Sequence, residues 1–542
     1  MKKLLALLLS CLLLLSTGCG KAPDAVPTDS HGLSDAISRQ TIGTSEPIIP
    51  ESEGIQITVH NVDELLAAIG SDRTILLEPG IYDISTARDF GDTVESPWCY
   101  WQPTDGSYYL MMREVRGMTL QSAGEEPAVI TTSNPTGSVL ELEYCENIVL
   151  RNLRIGHTGQ TNPEYSAAIR FFESQSLTLE NLDLYNCGDI GVGFIYSQNT
   201  EIFDCSISGI TGIPIYANNC FEGTILNCTI RDSGRPLYPA YAAFYLENIG
   251  NFFIGECSVT GNLFNILIQI LAEDGDPTVF DNVSFTDNRV TDYAFYFHES
   301  APIFSQVDFD RSTVRAWYSD DSESAVDPDG FSLDEIDFPE RTPYEEGPRT
   351  VVHAATVDEL LNAIGSNREI CLDSDFYDLA QASGYGTEDG PCYFWDPSQE
   401  NFGLVIHDVE NLAIFPAEGV MPVITAPQDA GVMAFAHCTG VQLSGLTFGR
   451  SEEPMEYEAP ILQFFDDDVV TLNCCSLSGT GWAVFYAAHS RDFSILDSRI
   501  FGPISMFETD YVRLDGVEGL SEEALSTNSC DFVTVDGVAR NP

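Results

Sequence analysis

The clearest pattern in the chain is an alternation of apolar and polar residues between positions 176 and 259. Four segments share it: S-L-T-L-E-N-L-D-L, T-E-I-F-D-C-S-I-S, G-T-I-L-N-C-T-I-R and F-F-I-G-E-C-S-V. Such alternation predicts β-strands with one buried face. The equivalent inward positions are 23, 23 and 29 residues apart, a period typical of solenoids. The sequence therefore predicts stacked coils with a shared inward column: Leu182, Cys205, Cys228 and Cys257.

Two other stretches have helical spacing. In N-V-D-E-L-L-A-A-I-G, at residues 61–70, Asn61 is the predicted N-cap and Gly70 the predicted C-cap. A near-identical stretch, V-D-E-L-L-N-A-I-G, begins 295 residues after Val62, at Val357. Further matches between the two parts of the chain, at an offset of 293, continue to Ser498. The repeat predicts a tandem duplication. Its first copy spans residues 55–317, an acidic linker spans 318–349, and a second, shorter copy spans 350–542.

The order of helix, strand and Pro-Gly-x-Tyr at residues 62–82 resembles the start of pectate-lyase-like proteins, which have the pectin-lyase fold. The resemblance implies an all-β, right-handed parallel β-helix, here duplicated in tandem, with an N-terminal helical cap on each copy. Enzymes on this fold cleave uronate polymers by calcium-assisted β-elimination, or glycosides with paired carboxylates. Their motifs are not matched: N-T-E at Asn199 and D-D-D at 466–468 lack a G-H-G and an R-I-K. G-R-P-L-Y-P at Gly234 lacks the second arginine of the lyases.

The N-terminus predicts export. Residues 1–18 have the basic start and short apolar stretch of a secretory signal peptide. They lead into L-S-T-G-C at residues 15–19, which resembles the lipobox of bacterial lipoproteins. That resemblance implies a lipid on Cys19 and an extracytoplasmic protein anchored to the cell membrane; ordinary cleavage and free secretion is the alternative. Residues 19–54, rich in Ser, Pro, Thr and acid, predict a disordered tether.

Charge narrows the range of partners. The chain has 83 Asp and Glu against 24 Lys and Arg, a net charge of −59. Such a surface repels nucleic acid and anionic lipid headgroups, and it argues against a polyanionic ligand unless calcium bridges the two. We predict no cofactor, with calcium as the alternative left open. The linker acids Asp327, Asp329 and Asp334 cluster, but without the spacing of an EF-hand.

Thirteen cysteines follow Cys19. Side chains that share one column of a parallel stack point in the same direction, which does not suit a disulfide. We therefore predict reduced thiols in the core. No cysteine pair has C-x-x-C spacing with a nearby histidine, so the sequence predicts no zinc site.

Alternation along the strands also predicts which side chains face outward. One outward column contains Arg170, Gly193, Tyr216 and Tyr245. A second, at the ends of the same strands, contains Glu173, Tyr196, Asn219 and Asn248. The matching positions of the second copy are Gln463 and Tyr486, with Asp466 and His489 beside them.

Aromatic faces beside amides and carboxylates on a rigid sheet suit a linear sugar chain. The leading hypothesis is therefore binding of an extracellular polysaccharide or glycan, through Arg170, Glu173, Tyr196, Tyr216, Asn219, Tyr245 and Asn248. A divergent polysaccharide lyase or glycoside hydrolase is the first alternative, with Arg170, Arg235, His157 and His298 as catalytic candidates. A structural surface spacer or adhesin is the second, because Tyr and Asn also suit exposed strands and turns.

Overall fold

The computed structural model describes residues 54–92, 96–104, 107–159, 166–235, 239–271, 278–298, 302–309, 312–318, 344, 346–387, 389–397, 401–427, 430–450, 459–479, 483–520, 524–530 and 532–540. The predicted signal peptide, Cys19, nearly all of the tether and most of the linker lie outside these residues. Within them, no helix has the length and apolar character needed to cross a membrane.

Residues 55–318 form a parallel β-solenoid, which we call the first segment. Its longest sheet stacks ten strands: Ile55–Val59, Arg73–Leu77, Arg116–Ser122, Glu146–His157, Gln175–Tyr185, Gln198–Phe203, Phe221–Leu226, Gly250–Gly255, Val279–Asp281 and Ile303–Ser305. Shorter strands extend this sheet around the coil: Ile81–Asp83, Ala128–Thr132, Ser206–Ser208, Thr229–Arg231, Ser258–Thr260 and Ser284–Thr286. They belong to the same sheet because Glu146–His157 and Gln175–Tyr185 are long enough to pair with both sets.

A second sheet closes the coils of the first segment, and we call its outer surface the sheet face. Its strands are Cys99–Thr104, Ser107–Arg113, Leu140–Glu143, Ala167–Phe172, Ile190–Ile195, Ile213–Asn218, Ala240–Glu247, Leu263–Leu271, Arg289–His298 and Thr313–Tyr318. Only its first pair is antiparallel. All later pairs are parallel, so equivalent residues of successive coils lie side by side.

The described residues between 350 and 540 form a second solenoid, which we call the second segment, with three separate sheets among them. The first contains Thr350–Ala354, Arg368–Leu372, Glu410–Pro416, Thr439–Ser444, Asp468–Asn473, Arg491–Leu496, Arg513–Asp515, Val533–Val535 and Val538–Arg540. The second contains Phe376–Asp378, Val423–Ala426, Thr447–Arg450, Ser476–Ser478 and Arg499–Phe501. The third contains Tyr393–Pro397, Phe402–His407, Met433–Ala436, Leu462–Phe465, Phe485–Ala488, Ile504–Phe507 and Leu525–Asn528.

The inward columns have the predicted register. Leu184 pairs with Ile207, Ile207 with Ile230, and Ile230 with Val259. The column of Cys205, Cys228 and Cys257 is buried in the same core, and aromatic rings stack between coils, as in Phe171 on Phe194 at 5.4 Å. The thirteen described cysteines all carry free thiols, and all are buried except Cys392 and Cys474. They pack as small apolar side chains.

The short α-helices Val62–Ala68 and Val357–Ala363 each lie between the first two strands of their segment, and 3-10 turns follow at Ile84–Thr86 and Leu379–Gln381. Asn61 caps the first helix as predicted, accepting the N–H of Glu64 at 3.0 Å. The predicted cap at Gly70 is wrong, because that glycine does not adopt a left-handed conformation. Instead Arg73 donates to the carbonyl of Ala68 at 2.8 Å. Its guanidinium crosses the space where a Cβ on Gly70 would lie, 2.9 Å from Cζ.

Candidate functional site

The predicted outward column on the sheet face is present. Arg170 pairs in register with Gly193, Gly193 with Tyr216, and Tyr216 with Tyr245. The structure extends the column to Glu141 before Arg170 and to Gln269 after Tyr245. Alternation alone was enough to find the column, because a parallel stack repeats the same position in every coil.

Arg170 lies between two carboxylates. Its guanidinium is 3.4 Å from Glu141 and makes a second, shorter ion pair with Asp189. The arginine side chain is 17% exposed and the Glu141 side chain only 4%, and Ser138 also donates to that carboxylate at 2.6 Å. These contacts restrain the guanidinium between the two carboxylates, which suits a fixed positive group better than a proton carrier.

The two tyrosines of the column form an aromatic strip. The rings of Tyr216 and Tyr245 are 5.3 Å apart, and Tyr241 lies 5.8 Å beyond. Burial, with a smaller contribution from the Glu247 carboxylate, raises the pKa of Tyr216 to about 12 and that of Tyr245 further. Both phenols are therefore protonated near neutral pH and able to donate hydrogen bonds.

The second predicted column forms a turn edge rather than an extension of the sheet face. Glu173, Tyr196, Asn219 and Asn248 all have left-handed backbone, with φ between 44° and 53°. Each donates its N–H to a carbonyl of the next coil, such as Tyr196 to Asn218 at 2.9 Å. Asn tolerates this conformation easily, and Tyr and Glu less so. Two of the four residues are therefore of types that the turn itself does not favour.

A cleft of about 560 Å³ opens along this turn edge. Tyr196, which is 56% exposed, and Tyr144 provide aromatic surface, and the Tyr144 hydroxyl donates to Glu173 at 3.4 Å. The carboxylates of Glu173 and Glu143 raise the pKa of Tyr144. The full lining is Arg116, Tyr144, Cys145, Glu146, Glu173, Ser174, Gln175, Tyr196 and Gln198.

Sequence reasoning missed most of this lining. Tyr144 lies one coil before Glu173 in the same column of turns, so extending the column backward would have found it. Arg116, Glu146, Gln175 and Gln198 share another column, at the start of the strands that follow the turns. Only the path of the chain between the two sheets brings these columns together. Asn219 and Asn248 continue the turn edge beyond the cleft.

The other catalytic candidates lie apart from one another. His157 is buried, with Nδ1 3.3 Å from the Cys187 sulfur and Nε2 3.1 Å from the carbonyl of Gly137. Burial lowers its pKa to about 4. A buried histidine with these contacts suits a structural role. Arg235 is exposed after the strand Thr229–Arg231, and His298 ends a strand of the sheet face in register with Leu271.

In the second segment, Gln463 and Tyr486 are register partners as predicted. Asp466 and His489 occupy left-handed turn positions, with φ of 52° and 53°. This row of turns faces the first segment, where Arg289 is 3.2 Å from Asp408 and 3.9 Å from Asp466. His489 lies between Glu508, at 3.2 Å, and Asp292 of the first segment, at 3.9 Å.

Two groups among the described residues bring three metal-binding side chains within reach of one ion. Asp292, His489 and Glu508 form one, at the contact between the segments. His353, Cys371 and Asp373 form the other, on the first strands of the second segment. In each group the ligand atoms lie within 4.8 Å of one another.

The family model "Right handed beta helix region" matches residues 130–279 and 167–323. No curated protein matches the chain by sequence. Among solved structures, the catalytic domain of a GH87 alpha-1,3-glucanase is 9% identical, covering 89% of this chain and 69% of its own, with a TM-score of 0.32.

An alginate lyase from Paenibacillus sp. is 11% identical over 74% of this chain and 98% of its own, with a TM-score of 0.27. A pectate lyase from Xanthomonas campestris is 12% identical over 54% of this chain and 88% of its own, with a TM-score of 0.28. The family-model match, together with the parallel strand pairing of the described residues, confirms the all-β, right-handed parallel solenoid that the resemblance implied.

Proposed function

We propose that this protein binds an extracellular polysaccharide in the cleft along the turn edge of the first segment. The observation that carries the proposal is the pairing of exposed Tyr196 and Tyr144 with the polar side chains of Glu173, Gln175 and Gln198 in one open groove. A sugar ring stacks its C–H face on an aromatic side chain, while carboxylates and amides accept and donate hydrogen bonds at its edge.

The shape and charge of the site define the ligand class. The turn edge is a row of equivalent positions one coil apart, which suits a polymer lying along the solenoid axis. With a net charge of −59, the protein repels polyanions, and Arg116 of the cleft lining is already 3.7 Å from Glu146. A neutral polysaccharide is therefore the expected ligand.

The test compares Tyr196→Ala with Tyr511→Ala in the chain from residue 53 onward. Tyr511 is a matched control, because it is 51% exposed and has a φ of 53°, but lies in the second segment. Affinity would be measured by calorimetry against neutral and uronate polysaccharides. Loss of one stacking contact weakens binding by about 10-fold in Tyr196→Ala and leaves Tyr511→Ala unchanged. Equal affinity of the two variants for every polymer would refute the cleft as the site.

The same assay separates the alternatives. A lyase or hydrolase would release unsaturated or reducing ends and would lose that activity in Arg170→Ala or Arg235→Ala. The ion pairs of Arg170 with Glu141 and Asp189 favour binding over proton abstraction by this residue. A spacer or adhesin would neither bind nor cleave any polymer of the panel.

We further propose that the protein is exported and lipid-anchored through Cys19, on the strength of the L-S-T-G-C motif after an apolar segment. Metabolic labelling with a fatty acid should mark the wild-type chain and not Cys19→Ala. Release of Cys19→Ala into the medium would accompany that loss. Labelling that persists in the variant would contradict the anchor.

The repeat suggests a third element of the proposal, that the two segments are tandem copies, each capped by its own helix. Its support is the shared V-D-E-L-L-x-A-I-G motif and the equivalent positions of the helices Val62–Ala68 and Val357–Ala363, each between the first two strands of its segment. Residues 54–317 and 344–542, produced separately, should each unfold cooperatively. A chain that remains unfolded in isolation would argue against independent copies.

A further inference from the structure

Three side chains of different chemistry meet where the second segment begins: His353 and Asp373 are exposed, and Cys371 is buried beside them. Nδ1 of His353 is 3.0 and 3.1 Å from the two carboxylate oxygens of Asp373. The sulfur of Cys371 is 4.0 Å from the nearer of those oxygens. The three ligand atoms all lie within 4.8 Å of one another.

The strand pairing explains why they meet. His353 lies on Thr350–Ala354 and Cys371 on Arg368–Leu372, and the two residues are direct register partners. Asp373 follows Cys371 by two positions, which brings it to the same side of the chain. The group is therefore built on paired backbone rather than on a loop.

The first segment provides an internal comparison. At the same positions of the repeat, 295 residues earlier, it has Thr58, Leu76 and Glu78, and Thr58 pairs with Leu76 in the same register. The backbone thus forms without the histidine and the cysteine. The imidazole and thiol of the second segment are not requirements of the fold.

We propose that His353, Cys371 and Asp373 bind a zinc ion, through Nδ1, the thiolate and a carboxylate oxygen. Zinc accepts nitrogen, sulfur and oxygen ligands at about 2.0 to 2.3 Å in tetrahedral geometry, which places ligand atoms about 3.3 to 3.6 Å apart. Small side-chain movements would bring the observed separations to those values. Calcium and magnesium prefer oxygen ligands, so the sulfur selects a softer divalent ion.

Binding requires the thiolate. The Cys371 proton leaves to solvent as the metal–sulfur bond forms, and the neutral imidazole gives its Nδ1 lone pair to the metal. The His353 side chain is 63% exposed, so the fourth coordination position faces water. A water molecule would complete the tetrahedron.

The sequence-based expectation of no zinc site rested on short local motifs. Here His353 and Cys371 are separated by 18 positions, and only the pairing of the first two strands of the sheet brings them together. The spacing equals the offset in sequence between paired residues of these two strands, which local cysteine motifs do not describe.

Cobalt substitution tests the proposal. The full mature chain is titrated with Co²⁺ in excess Mg²⁺, which occupies the many surface carboxylates. A thiolate ligand gives a sulfur-to-cobalt charge-transfer absorption in the near ultraviolet that oxygen ligands do not give. We expect this absorption to saturate at one equivalent and to be displaced by Zn²⁺.

Four variants identify the ligands. Cys371→Ser and His353→Thr should weaken Co²⁺ binding at least about 100-fold and abolish the sulfur absorption. Cys474→Ser removes the exposed thiol, and His489→Ala removes the imidazole of the other cluster; both should keep the absorption. His353→Thr copies the residue of the first segment at an exposed position, so its fold is preserved.

The outcomes are distinct. Wild-type chain that takes up cobalt without the sulfur absorption would show binding to carboxylates only, and would overturn the proposal. Retention of the absorption in Cys371→Ser, with circular dichroism unchanged, would assign the sulfur to another cysteine and overturn it as well. The cobalt titration does not depend on polysaccharide binding, so failure of the polysaccharide assay would leave its outcome unchanged.

Discussion

At the scale of single residues, the ion pair of Arg170 with Glu141 illustrates how burial changes the contribution of an ion pair to stability. Glu141 is almost fully buried and depends on Arg170 and Ser138, whereas Arg154 and Asp183 form a shorter pair, at 2.6 Å, that is far more exposed. Exposed pairs contribute little to stability, but removal of one member of a buried pair leaves an uncompensated charge.

We therefore expect Arg170→Met to lower the free energy of unfolding by about 3 kcal/mol, and Arg154→Met by up to about 1 kcal/mol. The double variant Arg170→Met/Glu141→Gln should recover part of the loss, because it removes the stranded charge. Urea denaturation at neutral pH measures all three. Equal losses in the two single variants would contradict this account.

His157 predicts a pH dependence. Its pKa of about 4 in the folded protein lies below the ordinary value, because burial disfavours the imidazolium. The unfolded chain therefore binds the proton more readily between about pH 6.5 and 4. The contribution of His157 to stability is complete above pH 6.5 and is lost as the pH falls toward 4.

The expected loss from this residue is about 3 kcal/mol between pH 7 and 4. His157→Gln cannot titrate, so its unfolding free energy should fall less steeply over the same range, even if it is lower at pH 7. The carboxylates contribute equally to both proteins and cancel in the comparison. Parallel pH profiles would refute the assignment.

At the scale of elements, a ladder of buried polar side chains ties the later coils of the first segment together. Asn262 accepts the N–H of Ser233 at 2.9 Å, and Asn288 accepts that of Asn262 at 3.2 Å. The Asn262 amide also donates to the carbonyl of Ile230 at 3.1 Å, and Ser312 continues the ladder by accepting the N–H of Asn288 at 3.3 Å. Each side chain thus satisfies backbone groups where the chain leaves a strand.

Asn262→Ala should lower the free energy of unfolding by about 2 to 3 kcal/mol, because it leaves buried backbone groups without partners. Asn262→Ser should cost less, about 1 kcal/mol, since serine already fills this role at Ser233 and Ser312. Thermal and urea denaturation would measure the stability of the two variants relative to the wild-type protein. A serine variant as unstable as the alanine variant would contradict the ladder.

At the scale of the whole molecule, the excess of negative charge affects the stability of the folded state. A net charge of −59 makes the compact state repel itself, and ion pairs such as that of Arg289 with Asp408 offset only part of this. Raising NaCl from about 0.01 M to 0.15 M should therefore raise the midpoint of thermal unfolding by about 1 to 3 °C. KCl should act equally if screening is the cause. A fall in the midpoint with salt would indicate that attractive pairs prevail.

Features that repeat along the chain were predicted correctly from the sequence, whereas a contact made by one long side chain was not. The strand register and the column of Arg170, Gly193, Tyr216 and Tyr245 followed from alternation. The end of the first helix did not, because Arg73, rather than a left-handed Gly70, bonds the carbonyl of Ala68 there. Such contacts depend on where a long side chain reaches, which periodicity does not encode.

The sequence by itself determined the repeat, the inward and outward positions and the register of this solenoid. It could do so because each coil pairs only with its neighbours, so a period read along the chain becomes a distance in space. Tertiary structure alone decided that Tyr144 and Gln198 share a cleft, that Glu141 is buried beside Arg170, and that His353 faces Cys371. These groupings depend on how the chain turns between sheets, where side chains from different columns converge.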